Sequence, residues 1–275
     1  MIVFLNNHII DEKAAHIAPS DRGFTLGDGV FDTLLCVDGK PQQAREHFTR
    51  LLAHAAFLRI KHEQTPEVLE QAALTLLKKN RFLGGRHALR TMVTRGQGER
   101  GLTPPELAVP TTFMRASPVP DPAALPPVHA VFALTTRRNE HSPFSRIKSL
   151  QYGDNMLALL EAHDHGANEA LILNTEGHVV CATTSNVFIL EEGRVLTPPL
   201  SDGALDGITR AFVMHNIPVK EHSLSMERLL SADGVYLTNS INGIRPVEKL
   251  NATCLPSRNG FYEDMIRNLS RPAAA

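Results

Sequence analysis

The stretch Ser117-Pro118-Val119-Pro120-Asp121-Pro122-Ala123-Ala124-Leu125-Pro126-Pro127 carries five prolines in eleven residues. Proline fixes φ, lacks an amide donor and pushes the residue before it out of the helical region. No helix or central strand runs through such a segment, so the chain is divided here. The reading is a proline-rich linker at 118–127, between a small N-terminal lobe at 1–117 and a larger C-terminal lobe at 128–275. A chain of 275 residues is long enough for each lobe to bury its own core.

Charge and composition remove several classes. The net charge is -1, so no basic field points to nucleic acid or an anionic membrane. There is no Trp and only three Tyr, which argues against an aromatic platform for single strands. No apolar run approaches the roughly 20 residues that span a bilayer. The first residues, Met1 to His8, lack the charged start of a signal peptide. Cys36, Cys181 and Cys254 are odd in number and far apart, which fits a reducing, cytoplasmic setting better than a disulfide framework. No metal is expected: there is no paired-Cys motif, and the histidines of His163-Asp164-His165 fall on different helix faces.

Periodicity supplies the elements. Ile2–Leu5 and His8–Ile10 read as a hairpin about Asn6-Asn7. Gln43–Leu58 is predicted helical, with Phe48, Leu51, Leu52 and Ala55 on one face. Glu67–Asn80 is a second helix, entered through Thr65-Pro66. Strands are predicted at Ala88–Thr94, Thr111–Ala116 and Val128–Thr135, and a helix at Gly153–Gly166. Glu169–Asn174, Val179–Leu190 and Val195–Thr197 then read as an antiparallel meander, not a βαβ series. A helix at Ile208–Asn216, a strand at Gly234–Thr238 and frayed residues at Arg271–Ala275 complete the reading.

Ser145-Arg146-Ile147-Lys148-Ser149-Leu150-Gln151-Tyr152 sets one lysine among apolar and small neighbours. Burial there would penalise the ammonium form, and a lysine with a lowered pKa forms Schiff bases with aldehydes. Gly96-Gln97-Gly98-Glu99-Arg100-Gly101 matches a dinucleotide fingerprint, but Leu102-Thr103-Pro104-Pro105 cannot open the helix such a site needs. A flexible loop presenting Arg95 and Arg100 to a carboxylate fits better. Gly207-Ile208-Thr209-Arg210 joins a glycine to a helix start, a ready anion site. Thr183-Thr184-Ser185-Asn186 puts hydroxyls inside an apolar strand and breaks its alternation, the mark of a loop or bulge.

In this order, these pieces resemble the class-IV aminotransferase family of fold-type-IV pyridoxal 5'-phosphate enzymes. The resemblance runs through Ser20-Asp21-Arg22-Gly23-Phe24-Thr25-Leu26-Gly27-Asp28-Gly29-Val30-Phe31-Asp32-Thr33, His47-Phe48-Thr49-Arg50-Leu51, Ile147-Lys148-Ser149-Leu150, Thr184-Ser185-Asn186-Val187-Phe188 and Gly207-Ile208-Thr209-Arg210. It implies an α/β fold of the α+β type: two lobes, the second with an antiparallel-rich, barrel-like sheet, the cofactor between them and a homodimer completing each site. It implies that Lys148 holds the cofactor as a Schiff base and then shuttles protons. Arg50, Ile208, Thr209 and Ser240 match phosphate-binding positions, and Tyr152 a residue near the phenolic oxygen. Thr184 and Ser185 fall with the cofactor contacts, and Phe31, Thr33, Arg95, Arg100 and Asn239 with those of a small-molecule amino substrate.

One position departs from the family. After Gly177-His178-Val179-Val180 the family has a glutamate that pairs with the pyridine nitrogen, and this chain has Cys181. A carboxylate stabilises pyridinium; a thiol with a reference pKa of about 8.5 is a weaker partner. Among members, the resemblance favours 4-amino-4-deoxychorismate lyase. Phe31-Asp32-Thr33, the loop Arg95 to Gly101, and Leu237-Thr238-Asn239-Ser240-Ile241-Asn242-Gly243-Ile244-Arg245-Pro246-Val247 carry it. Lys148–Ala170 and Pro218-Val219-Lys220-Glu221 resemble D-amino-acid aminotransferases, so transamination is the alternative, ahead of a non-catalytic relative.

Overall fold

The computed structural model of the chain describes residues 1–256 together with Gly260 and Glu263; the expected fraying of Arg271–Ala275 lies outside them. The chain packs as two units, one of Met1–Asp121 with Ile147–Gln151, the other of Pro122–Arg146 with Tyr152 onward. The lysine segment, second-lobe by chain order, therefore packs with the first unit.

In the first unit, Asn6 and Asn7 both adopt positive φ, 48° and 67°. That backbone twist suits a two-residue hairpin, and asparagine tolerates it. It joins β1 (Ile2–Leu5) to β2 (His8–Asp11). After the short helix α1 (Arg22–Leu26) come β3 (Gly29–Val37), β4 (Lys40–Pro41), the helices α2 (Ala44–Phe57) and α3 (Pro66–Lys79), then β5 (Arg86–Thr94) and β6 (Thr111–Pro118). The sheet is antiparallel in the order β2-β1-β6-β5-β3-β4. The Thr65 hydroxyl accepts from the Val68 amide at 3.3 Å, and Pro66 opens α3. Val30, Leu34 and Cys36 of β3 pack with Leu89 and Val93 of β5 against Phe48 and Leu51 of α2 and Leu69 and Leu76 of α3. Even-numbered residues of β3 thus face the helices, and Phe31 and Thr33 face the other way.

The second unit runs β7 (Val128–Phe132), α4 (Gly153–Asp164), β8 (Glu169–Leu173), β9 (Val179–Ala182), β10 (Asn186–Glu191), β11 (Arg194–Thr197), α5 (Ile208–Asn216), β12 (Val219–Glu221), α6 (Met226–Leu230), β13 (Gly234–Asn239), β14 (Gly243–Leu250) and β15 (Thr253–Cys254). The ladder β10-β13-β14-β7-β8-β9 closes back on β10, a six-stranded barrel. The sheets thus have the two-part α+β character read from the sequence, with a barrel in the C-terminal part.

The meander from β8 to β11 is antiparallel throughout. Three parallel pairs depart from the expected meander: β7 with β8 across α4, β11 with β12 across α5, and β14 with β7. The first two are helix crossovers, as parallel neighbours joined in sequence require. The single strand expected at Val179–Leu190 is two, because Thr183–Ser185 form a tight turn in which the Ala182 amide donates to the Ser185 carbonyl at 2.8 Å.

Candidate active site

In the first unit the lysine segment lies along β3. The Phe31 amide donates to the Lys148 carbonyl at 2.9 Å, and the Leu150 amide to the Gly29 carbonyl at 3.0 Å. Val30 and Ser149 form an antiparallel bridge. Lys148 is half-buried between buried Ile147 and Ser149. Its Nζ sits 4.6 Å from the Phe31 ring centroid, and the Arg90 guanidinium carbon 3.7 Å from the same ring. Arg90 is cross-strand partner to Thr33, so Phe31, Thr33 and Arg90 share the sheet face away from the helices. The structure therefore brings Lys148, Phe31 and Thr33 together and adds Arg90.

On the helix side of β3, Asp32 is buried and meets α2. Its Oδ2 accepts from Arg50 Nε at 2.8 Å, and its Oδ1 from Arg50 Nη2 at 2.9 Å, from His47 Nδ1 at 2.8 Å and from the Thr33 amide at 2.8 Å. Burial alone would push this carboxyl up; the Arg50 charge and the hydrogen bonds from His47 and Arg50 outweigh it and hold it well below the usual carboxylate range. Arg50 is thereby fixed as a fork on a carboxylate.

Arg95 and Arg100 part company. Arg100 is exposed in its loop. Arg95 is buried, donating from Nε and Nη2 to Asp28 at 2.7 and 3.0 Å and to the Arg59 and Leu58 carbonyls at 3.2 and 2.8 Å. These bonds engage four of its five N–H donors in tying β5 to the end of α2. Arg22 pins the following loop through the carbonyls of Gly101 and Leu102, both at 3.0 Å. A Cβ at Gly96, whose φ is +83°, would overlap the Val109 carbonyl, so this glycine serves a tight loop crossing and no helix follows it.

In the second unit three loops converge. Cys181 lies in β9, next to its last residue, buried among Ala158, Ala162, Ala170, Ile172 and Ala204, and pairs with Asn186. The turn at Thr184 and Ser185 reaches the turn after β13, where Asn239 Nδ2 donates to Ser185 Oγ at 3.1 Å. Asn239 Oδ1 accepts from the Ile241 and Asn242 amides, shaping the turn that carries Ser240. Asn186 donates to the Leu205 carbonyl at 2.9 Å, just before Gly207. A Cβ on Gly207 would run into the Asn186 side-chain oxygen, so any larger residue at the start of α5 would displace Asn186. Thr184, Ser185, Asn239 and Ser240 thus sit at neighbouring turns of one barrel, and Ile208 and Thr209 open α5 next to Asn186. Tyr152 precedes α4 as its N-cap residue.

The family model of amino-transferase class IV matches residues 29–250. The chain belongs to the class IV aminotransferase family. It is 30% identical over 281 residues to the aminodeoxychorismate lyase of Bacillus subtilis, covering 98% of this chain and 96% of that one. It is 30% identical over 257 residues to the D-alanine aminotransferase of Staphylococcus epidermidis, covering 90% and 89%. Its fold superposes on the branched-chain aminotransferase of Thermoproteus uzoniensis, solved with norvaline, with a TM-score of 0.91 at 26% identity over 98% of this chain and 94% of that one.

The family depends on pyridoxal phosphate, and the residues present fit that group. Lys148 offers a half-buried amine. The N-terminus of α5 has no side-chain cap, so its first amides are open to a phosphate. Among the described residues, buried Thr238 Oγ1, one residue before Asn239, has no hydrogen-bond partner. The sequence reading missed Arg90, Asp32 and Thr238. Reading Gly29–Val37 as a strand paired with Ala88–Thr94 would have set Arg90 beside Thr33.

Proposed function

We propose that this class IV enzyme is an aminodeoxychorismate lyase, converting 4-amino-4-deoxychorismate to 4-aminobenzoate and pyruvate. The observation that carries the reading is the pairing of Thr33 with Arg90 beside Phe31, whose ring also meets Lys148 Nζ. The substrate bears two carboxylates, and exposed Arg90 sets a guanidinium one strand away from the family's lyase-like threonine. Bound pyridoxal phosphate supplies an aldehyde for amines and a ring that draws electron density from the carbon bearing the amine. Lys148 Nζ would be the amine that holds this group, and it is placed to move a proton between substrate carbons. By the family resemblance Arg50, Ile208, Thr209 and Ser240 hold the phosphate. By the same resemblance Tyr152 would meet the phenolic oxygen and Cys181 the ring nitrogen. Thr184 and Ser185 add cofactor contacts; Phe31, Arg100 and Asn239 add substrate contacts. Arg95 is engaged with Asp28 and the Leu58 and Arg59 carbonyls and anchors the chain where the loop of Arg100 begins. A second copy of the chain and a cytoplasmic setting belong to the same reading.

Transamination is the second reading, supported by relatives named as D-alanine and branched-chain aminotransferases. Purified protein given 4-amino-4-deoxychorismate is expected to release 4-aminobenzoate, followed by its fluorescence, and an equal amount of pyruvate. Excess D-alanine without a keto acid is expected to leave the cofactor in its aldehyde state. Complete conversion to the pyridoxamine form, with no 4-aminobenzoate released, overturns the lyase reading. Arg90→Met is expected to raise KM for the dicarboxylate about tenfold or more with kcat little changed; an unchanged KM removes Arg90 from substrate binding.

A further inference from the structure

His54 and Lys148 are 94 residues apart in the chain, yet the Lys148 backbone N–H donates to His54 Nδ1 at 3.2 Å. On its other side, the Lys148 carbonyl accepts from the Phe31 amide at 2.9 Å. Both peptide groups that flank the Lys148 Cα are therefore held, one by α2 and one by β3. The side chain leaves this clamp over the Phe31 ring, with Nζ 4.6 Å from its centroid. An amide can only donate, so His54 Nδ1 must carry a lone pair and the ring proton sits on Nε2. His47, two turns earlier on α2, has the opposite arrangement: its Nδ1 meets the Asp32 carboxylate, which can only accept.

We propose that His54 is a positioning residue for Lys148, a neutral ring with its proton on Nε2 whose Nδ1 fixes the lysine's backbone and so aims its amine. The proposal rests on Lys148 being the amine that takes the cofactor aldehyde. It follows from the geometry that any acceptor placed where Nδ1 lies will serve, and that a polar group placed where Nε2 lies will not. Asparagine puts its side-chain oxygen near the Nδ1 position, and glutamine reaches toward the Nε2 position. Phenylalanine keeps the ring and has neither nitrogen. Without the acceptor, the Lys148 N–H loses its bond to α2 while the bond from β3 to its carbonyl remains.

The experiment compares the wild-type chain with His54→Asn, His54→Gln and His54→Phe. The dissociation constant for pyridoxal phosphate is read from the absorbance band of the lysine-bound cofactor. The nitrogen-15 spectrum of the His54 ring is recorded on cofactor-free wild-type protein. Wild type and His54→Asn are expected to bind within about threefold of one another, and His54→Gln and His54→Phe about tenfold more weakly. The ring spectrum is expected to show an unprotonated Nδ1. Equal affinity across all four proteins, or a protonated Nδ1 in the neutral ring, overturns the proposal. If His54→Phe fails to fold, the contrast between asparagine and glutamine and the ring spectrum still decide. A wild-type protein that forms no lysine-bound band defeats the assignment of Lys148 and this proposal with it. A normal band in every variant defeats the proposal alone.

Discussion

Asp32 carries two loads with one carboxylate: it neutralises Arg50 beneath the sheet and orients His47. Replacing it by asparagine keeps the shape but removes the charge that neutralises half-buried Arg50. Breaking such a pair costs about 3 kcal/mol. Asp32→Asn is expected to lower the unfolding free energy by about that much at pH 7, read from urea denaturation. Its pH dependence has a fixed sign. The folded carboxyl lies below its ordinary value of 3.8, so the unfolded chain takes up the proton first. The stability it adds is complete above the ordinary value and drains away as pH falls through the lowered folded value. The wild-type chain should lose stability over that acid range, and the variant should lose less. Parallel curves would mean that the ion pair is not coupled to folding. Under the proposed function Cys181 poses the opposite question, a thiol at the ring nitrogen where the family resemblance implies a carboxylate. Cys181→Glu is expected to shift the visible spectrum of the cofactor-loaded protein and to change the turnover rate at least severalfold. An unchanged spectrum together with an unchanged rate would place Cys181 away from that nitrogen.

Single elements show what was legible in the sequence and why. Helix α2 and helix α3 were plain because their apolar residues recur at helical spacing and Thr65-Pro66 announces a start. Strand β3 was not, because Asp32 and Phe31 are both buried and interrupt the alternation that would have marked Gly29–Val37. The tie between Arg95 and Asp28 was hidden for another reason: it joins positions 67 residues apart, and no local pattern reports it. The hydroxyl run at Thr183 was legible as a break but not as a braced turn. Its brace is Glu169, which accepts from the Ala170 amide at 2.9 Å and from the Thr183 amide at 3.1 Å and hydroxyl at 2.5 Å. Burial pushes the Glu169 carboxyl up, and the hydrogen bonds from Thr183 and Ala170 only partly oppose it. A raised folded value means that the folded chain holds this proton longer than the unfolded one. Stability should therefore decline as pH rises from the ordinary value of 4.5 to the raised one, and level off above it. Glu169→Gln, which cannot ionise, should lack that decline. Urea midpoints measured between pH 4 and 8 check this, and a decline of equal depth in both proteins would assign it to another group.

Across the whole molecule, the order of motifs located the family while leaving its reaction open. Under the proposed function, Lys148 and the glycine-led start of α5 serve the cofactor, and the face that holds Thr33 and Arg90 meets the substrate. The same division bears on assembly. Helix α4 buries Asn155, Ala158 and Ala162 but leaves Met156, Leu157 and Leu160 more than half exposed. These three lie within one turn of each other on one side of the helix, an apolar surface that costs solubility unless something covers it. In the first unit Leu102, Leu107 and Val109 are likewise open to solvent along one loop. Under the proposed function, a second copy of the chain covers such apolar patches. Sedimentation velocity is expected to give a dimer near 60 kDa from a chain of 30.2 kDa, roughly twice the mass of one copy. The double substitution Leu157→Glu with Leu160→Glu puts two charges into that surface without touching the buried side of α4. It should shift the protein to the monomer while its far-UV circular dichroism stays unchanged. A wild-type chain that sediments as a monomer at micromolar concentration would remove the second copy from the reading. A double variant that stays dimeric would move the contact to the loop of Leu102, Leu107 and Val109.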